Sequence, residues 1–236
     1  ALFSKNRARE ELAEAIGSAF YLLGLPFVRI WYYPKKYNSM FNFRFDLDED
    51  IGVELENIAG IARDHKDCTT MFTCCASFEK NSYKIKNLIS EGFDIQSHGY
   101  YHHTYSDEGQ NRYNILKSIE YFKKLNHKIE GFAAPKGRWN QGLQEALQEL
   151  GFLYSSEFAL DYDNFPFYPV INGAFSTVLQ IPIHPICWGL YKDAAISDNE
   201  AIKKYILSII SEKYGYNLPI VIYGHPGEEI SKNTQL

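Results

Sequence analysis

Residues 41–48 read Phe-Asn-Phe-Arg-Phe-Asp-Leu-Asp, and this stretch decides the fold. Large apolar side chains occupy every second position, which is the period of a strand with one face against a packed layer. The other face carries Asn42, Arg44, Asp46 and Asp48. Two carboxylates two residues apart on one strand face are roughly 7 Å apart and repel each other. Either a cation lies between Asp46 and Asp48, or the strand ends in an exposed acidic turn at residues 48–50.

Length and composition limit the class of protein. The 236 residues suit one α/β domain with an arm, and the apolar content of 45% is ample for its core. A net charge of −5 and the lack of a basic run argue against a nucleic-acid partner. Four cysteines without CxxC spacing argue against a disulfide framework or a sulfur-bound structural zinc. Aromatic residues make up 16% of the chain, and aromatic-rich clefts commonly hold sugar rings.

The first 39 residues are predicted to form an arm that packs on the main domain. Apolar residues at helical spacing predict a helix over 4–23, and residues 27–33 are typical of a strand. No stretch is long and apolar enough to span a bilayer, since the best candidate, 19–33, is interrupted by Gly24, Pro26 and Arg29. The lack of an initiating Met is compatible with a mature form or an excised piece of a longer protein, so the absence of targeting signals decides nothing, and the arm could be a linker from an upstream region. The oligomeric state is left open.

From residue 40 to 236 the pattern alternates between strands and helices, which favours a parallel sheet. The predicted strands cover 41–48, 69–77, 93–97, 131–134, 152–155, 175–183 and 219–223. The predicted helices cover 50–64, 81–91, 107–125, 141–150 and 197–214. About seven strands with helices between most of them suit an α/β barrel that is closed or nearly closed. An open doubly wound sheet is the alternative.

Polar residues follow several of these strands. The carboxyl ends of parallel strands form one edge, where functional groups gather. The residues at this edge are Asp46, Asp48, His98, His102, Lys136, Arg138, Asp161, Asp163 and His225. His98 and His102 lie at i and i+4, so a helical turn would place both imidazoles on one face. With a strand-end Asp they would bind a divalent metal with open positions, although exposed pairs of this spacing usually bind nothing.

The motifs and their order resemble the polysaccharide deacetylases, which are metal-dependent carbohydrate esterases. In chain order they are Asp46-x-Asp48, His98-x-x-x-His102, Gly131-Phe132-x-x-Pro135 and a strand that ends in His225. The resemblance spans about residues 41–226. It implies a distorted (β/α) barrel with about seven strands, and a hydrolase that removes N-linked acetyl groups from an N-acetylated sugar or glycan.

The resemblance also implies a role for each matching position. Asp48, His98 and His102 would hold the divalent metal, which would be zinc, or else cobalt, nickel or iron. Asp46 would be the general base that takes a proton from a metal-bound water, the nucleophile. His225 would be the general acid that protonates the leaving amine.

Further positions would support the substrate and the acid. The backbone N–H near Lys136, with Pro135 beside it, would help to hold the oxyanion. Trp139 could stack on a sugar ring, as could Trp188 in another predicted loop. Asp161 or Asp163 would orient the general acid.

The sequence departs from the family pattern at Ala133, where an arginine that holds the base is expected. Arg44 is a possible replacement, because it lies two residues before Asp46 on the same strand face. Arg138 and Lys136 are further options. We therefore expect a guanidinium from Arg44 or Arg138 within hydrogen-bonding distance of Asp46.

Alternatives remain for the acid and for the activity. His184 also ends a predicted strand and rivals His225, although it lies between two prolines. The chain could be a catalytically silent sugar-binding relative, with its base disabled by the loss of the arginine. It could also hydrolyse another non-peptide C–N bond, in an amide or imide, since such barrels are reused. The family often acts on envelope or exported glycans, which favours a location outside the cytoplasm.

Overall fold

The computed structural model describes residues 5–50, 52–158, 164–184 and 198–226. Its centre is a curled sheet of seven parallel strands in the order β8-β5-β4-β3-β2-β1-β9. The strands are β1 (Phe41–Leu47), β2 (Thr69–Thr73), β3 (Asp94–Ser97), β4 (Gly131–Phe132), β5 (Tyr154–Ser155), β6 (Val170–Ile171), β7 (Ala174–Phe175), β8 (Leu179–Gln180) and β9 (Ile220–Gly224). The β6–β7 pair forms a separate antiparallel hairpin.

The two edges of the sheet approach each other. The backbone N–H of His184, shortly after β8, donates to the carbonyl of Val221 in β9 at 2.8 Å. Ile183 packs with Val221 and Tyr223 in a small apolar cluster at the same place. The predicted distorted barrel of about seven parallel strands with an N-terminal helix is therefore confirmed, in the form of a curled half-barrel.

Six helices among the described residues connect or flank the strands. They are α1 (Lys5–Leu22), α2 (Val53–Ala62), α3 (Ser82–Ser90), α4 (Glu108–Lys124), α5 (Gln141–Glu149) and α6 (Asn199–Gly215). Three of them begin at a side-chain cap that accepts a backbone N–H of the first turn, at Asp107, Asn140 and Asp198. Such caps satisfy donors that a helix leaves unpaired, and they explain why these helices begin where the sequence predicts.

Side chains on the two faces of β1 point into two different buried regions. Phe45 and Leu47 face outwards and pack with Ile58 of α2 and Phe122 of α4 in the main apolar core. The opposite face lines the inside of the barrel and carries Arg44 and Asp46, which are only 1% and 4% exposed. The inside of the barrel is therefore both buried and polar, and β1 directs its charged residues there.

The arm differs from its prediction in one respect. The helix is present as α1, but residues 27–33 form no strand, because no other described strand lies beside them to complete a ladder. The Tyr33 hydroxyl donates to the carbonyl of Asn217, and this bond ties the arm to the barrel. None of the described helices is apolar over enough length to cross a bilayer.

Four other strand predictions were too long, and those over 131–134 and 152–155 are reduced to Gly131–Phe132 and Tyr154–Ser155. The strand predicted over 69–77 ends at Thr73, and Cys75–Phe78 forms a 3-10 turn. The N–H groups of Cys75 and Ala76 donate to the carbonyls of Gly99 and Tyr100, so the turn is fixed to the loop after β3. The predicted strand over 175–183 is divided, since residues 176–178 lie between β7 and β8 without strand pairing.

Candidate metal centre

Three predicted ligands meet at the carboxyl ends of β1 and β3. Oδ1 of Asp48 lies 3.1 Å from Nε2 of His98, and Oδ2 of Asp48 lies 3.3 Å from Nε2 of His102. One potential ligand atom from each residue lies within 4.8 Å of the other two. His98 is buried, whereas Asp48 and His102 are partly exposed. The group is therefore compact and open to solvent on one side.

The loop between the two histidines is not the helical turn that the spacing predicted. Residues 98–103 contain bends, and Gly99 has a φ of +82°, a conformation that a side chain disfavours. Asn114 of α4, which the sequence reasoning missed, shapes this loop by accepting the N–H groups of Tyr100 and Tyr101 at 3.1 and 2.7 Å. The two imidazole rings still come together, with their centroids 5.1 Å apart. Only the polarity of Asn114 on the buried side of α4 could have signalled its role.

The hydrogen bonds of His98 define its tautomer. Its Nδ1 lies 2.8 Å from the carbonyl oxygen of Ala133, which only accepts, so Nδ1 carries the proton. In the neutral ring, Nε2 therefore directs a lone pair at Oδ1 of Asp48, another acceptor. That buried oxygen has no hydrogen-bond partner among the described residues. Two acceptors facing each other at 3.1 Å require a cation between them or a second proton on His98.

The electrostatics favour the metal-binding forms of the other two groups. Burial lowers the pKa of His102, and the attraction of Asp48 only partly offsets this effect. His102 is therefore neutral at pH 7 and can offer its lone pair. Burial raises the pKa of Asp48, but the neighbouring His98 and His102 outweigh it, so the net shift is downwards. Two neutral imidazoles and one carboxylate fit a divalent cation such as zinc.

Asp46 lies beside this group in a pair with Arg44. Nε and Nη2 of Arg44 each donate to one oxygen of Asp46 at 2.6 Å, in a two-pronged ion pair. Nη1 donates to the backbone carbonyl of Ser156 at 2.5 Å and to its hydroxyl at 3.2 Å. The guanidinium is also 4.9 Å from the ring centre of Phe72. Although burial raises the pKa of Asp46, Arg44 and then His98 lower it overall, so the carboxyl is ionised at neutral pH.

Arg44 thus supplies the guanidinium beside Asp46, for which the sequence offered Arg44 and Arg138 as candidates. A guanidinium lies within hydrogen-bonding distance of Asp46, as we expected, and it comes from β1 itself. Arg138 is exposed on the surface instead. Each oxygen of Asp46 accepts one of these bonds and keeps a second lone pair for another donor.

The two candidate acids lie in different surroundings. His225 follows β9, and its Nε2 is 3.8 Å from Oδ2 of Asp48, at the edge of the metal group. His184 lies near the closure of the barrel, where its Nε2 has no described hydrogen-bond partner. Burial, with a smaller effect of Lys213, lowers the pKa of His184 to about 4. His184 is therefore unprotonated at neutral pH and unsuited to donate a proton there.

The loop after β4 carries the residues expected near the substrate. Pro135 is buried, and Lys136 is exposed with a φ of 60° in a short 3-10 turn. The indole N–H of Trp139 donates to Oε1 of Gln144 at 3.0 Å, which fixes a ring that is 41% exposed. The charge of Lys136 is close enough to lower the pKa of His102 slightly. Asp161, Asp163 and Trp188 lie outside the described residues.

Glu157, two residues after β5, was not identified from the sequence. Its carboxyl is 1% exposed, and Oε1 accepts the N–H of Ala134 at 3.0 Å and the hydroxyl of Ser155. Burial raises its pKa to about 7, although Ser155, Arg44 and the Ala134 N–H act in the opposite direction. A glutamate in the run Tyr-Ser-Ser-Glu-Phe carries no signal of burial, which is why sequence reasoning passed over it.

The fold and the Asp-His-His group define an α/β barrel with a candidate metal centre at the carboxyl ends of its strands. Residues 50–155 match the family model described as polysaccharide deacetylase. The match confirms the family resemblance that the order of motifs predicted. It covers His98 and His102, whereas Asp46, Asp48 and His225 lie outside it. No curated protein matches the sequence significantly.

Solved structures show the same fold at low sequence identity. A polysaccharide deacetylase structure from Mycobacterium smegmatis aligns with 88% of this chain and 83% of its own, at 17% identity and a TM-score of 0.71. Puue allantoinase aligns with 85% of this chain and 81% of its own, at 17% identity and a TM-score of 0.63. A mutant of BA3943, a CE4 family pseudoenzyme, aligns with 89% of this chain and 64% of its own, at 14% identity and a TM-score of 0.58. These likenesses concern the fold, which supports more than one activity.

Proposed function

We propose that this chain is a metal-dependent N-deacetylase that hydrolyses acetamide groups on an N-acetylated sugar or glycan. The observation that carries the proposal is the close approach of Oδ1 of Asp48 and Nε2 of His98, which face each other at 3.1 Å beside His102. Asp48, His98 and His102 would hold a divalent cation there, and such a cation would supply Lewis-acid chemistry that lowers the pKa of water. The family match supports a carbohydrate substrate.

The neighbouring side chains divide the proton transfers between them. Asp46, ionised and oriented by Arg44, accepts a proton from the attacking water at a carboxylate oxygen. An amine leaves only when it is protonated, and His225 at the end of β9 donates that proton from its ring. The backbone N–H of Lys136 donates to the oxyanion that forms on the acetyl carbonyl. The exposed Trp139 offers an apolar ring to the sugar.

The test is release of acetate from N-acetylglucosamine oligomers by the zinc-loaded protein. We expect Asp46→Asn to lower the rate about 10²–10⁴-fold, the usual contribution of a general base, with zinc binding retained. Asp94→Asn is the matched control, because Asp94 is a partly buried carboxylate on β3 that accepts bonds from Thr70 and Gln96. The control should keep its rate within a few-fold. Equal rates for the wild type and a folded Asp46→Asn protein would contradict the assigned base.

The same assay distinguishes the two alternatives, a silent sugar-binding relative and a hydrolase of another C–N bond. A protein that binds zinc and sugar oligomers but releases no acetate would be a silent binding relative. The bond between Arg44 and Asp46 weakens the main reason for that alternative, because the base is held despite Ala133. Turnover of small cyclic amides or imides in place of acetylated sugars would show a different C–N hydrolase.

A further inference from the structure

One peptide group links the metal centre to a buried carboxylate. The carbonyl of Ala133 accepts the Nδ1 proton of His98 at 2.8 Å. The N–H of the same peptide, which belongs to Ala134, donates to Oε1 of Glu157 at 3.0 Å. The resulting chain of hydrogen bonds runs from Glu157 through the peptide to His98. All four residues are 1% exposed or less, so water does not compete with these bonds.

The direction of these bonds has a chemical consequence. A negative charge at the N–H end of a peptide polarises the group and makes its carbonyl oxygen a stronger acceptor. A stronger acceptor at Nδ1–H holds the imidazole in one tautomer and increases the electron density at Nε2. Carboxylates that bind a ligating histidine directly are known to do this in metal sites. Here the peptide between Ala133 and Ala134 transmits the same effect over one additional bond.

The cost of burying Glu157 also calls for an explanation. A carboxylate with almost no exposure loses its hydration, and Oε2 has no hydrogen-bond partner among the described residues. The positive charge of Arg44 offsets part of this cost, but Ala134, whose N–H bonds to Oε1, belongs to an apolar cluster. A group kept at such a cost is expected to have a function.

We propose that Glu157 is a positioning residue that orients and polarises the metal ligand His98 through the Ala133–Ala134 peptide. The inference rests on the proposed metal centre and adds a residue to it. The carbonyl in this relay belongs to Ala133, which is buried at the position where the family pattern has an arginine.

The test compares zinc affinity, measured by competition with a chromophoric chelator, in wild type and Glu157→Gln, at a pH well above the raised pKa of Glu157 of about 7, where its carboxyl is ionised. The amide has nearly the same shape but no charge, and we expect zinc binding to weaken about 10-fold, the lower end of the range for outer partners of a ligand. Lys213→Met is the control, since it removes another buried charge, one that donates to Asn164 at 2.7 Å. The control should bind zinc within about 2-fold of wild type.

A spectroscopic readout separates positioning from a general loss of stability. In zinc-loaded protein, the Nδ1–H resonance of His98 should move upfield in Glu157→Gln, while the ring resonances of His102 stay in place. Glu157→Asp, whose carboxylate is shorter by one methylene, should show the same two effects if the glutamine variant does not fold. In wild type itself, the Nδ1–H of His98 and the amide proton of Ala134 should both lie downfield, and ordinary shifts for either would overturn the relay.

The outcomes distinguish this inference from the proposed function. If wild type binds zinc and releases acetate, but the folded variants keep the same affinity and the same His98 resonance, the relay is wrong and the deacetylase stands. If wild type binds no zinc, both are wrong. A 10-fold loss of zinc affinity with a shifted His98 resonance supports the relay and the metal centre, and acetate release by wild type supports the deacetylase.

Discussion

Two polar clusters lie side by side inside the barrel, and they differ in whether their hydrogen bonds are complete. In the cluster of Arg44, Asp46 and Ser156, every nitrogen of the guanidinium donates to an acceptor, and both oxygens of Asp46 accept. In the cluster of Asp48, His98 and His102, acceptors face acceptors, and Oδ1 of Asp48 has no described donor. The first cluster is complete without a ligand. The second is completed by a cation or by a second proton on His98, and this contrast makes it the candidate metal centre.

The largest expected effect comes from breaking the complete cluster. Arg44→Met leaves the buried Asp46 carboxylate unpaired, so the free energy of unfolding should fall by about 3–5 kcal/mol in urea titrations. Asp48→Asn is the matched change in the incomplete cluster. In metal-free protein it should change the stability by less than about 1 kcal/mol, because its amide N–H can donate to Nε2 of His98. Equal losses for the two variants would remove the contrast between the clusters.

A metal should stabilise the incomplete cluster by a smaller amount. Zinc at 100 times its dissociation constant should raise the free energy of unfolding of wild type by about 2.7 kcal/mol. His102→Ala should lose most of this gain, because only two ligands remain. His103→Ala is the control, since the neighbouring ring packs on Tyr105 and lies outside the metal group. The midpoints of urea unfolding with and without zinc provide the measurement, and an equal gain in all three proteins would show that zinc binds elsewhere.

A third effect, on the pH dependence of stability, separates a histidine of the metal group from one outside it. The pKa of His184 is lowered to about 4, so between that value and the unfolded value of about 6.5 the unfolded chain binds more protons. The stability of the metal-free protein should therefore fall as the pH decreases from about 7 to 4. The pKa of His102 is also lowered, and its share of the loss has the same sign.

Replacing one histidine at a time assigns these shares. His184→Gln should flatten the dependence of the melting temperature on pH, and the stabilisation by zinc at pH 7 should stay unchanged. His102→Ala should reduce both the pH dependence of the melting temperature and the stabilisation by zinc. If His184→Gln leaves the dependence of the melting temperature on pH unchanged, then the imidazole of His184 is not the group that titrates.

The sequence was sufficient for the parts of the fold that depend on local pattern. The period of two over residues 41–47 predicted β1, and the face it assigned to Arg44 and Asp46 is the buried polar face. The strands that failed depended on neighbours instead. Residues 27–33 have a strand composition but no partner among the described strands, and β2 stops where Cys75 bonds to the loop after β3. A ladder partner and a competing loop are tertiary features that local pattern does not contain.

The candidate site also contains residues that the sequence could predict and residues that it could not. Asp48, His98 and His102 were predicted to meet, the two histidines from their spacing at a strand end and Asp48 from the family resemblance, and the structure brings them together. Asn114 and Glu157 were missed because each acts through a backbone group whose position only the folded chain defines. The bend at Gly99 replaced the predicted helical turn without separating the two histidines.

The most direct test of the metal centre is anomalous diffraction from crystals of the zinc-loaded protein, collected on both sides of the zinc absorption edge. We expect one strong difference peak within bonding distance of Asp48, His98 and His102, about 2.0–2.2 Å from the ligand atoms. A map with no peak there, or with zinc only at other residues, would contradict the metal centre.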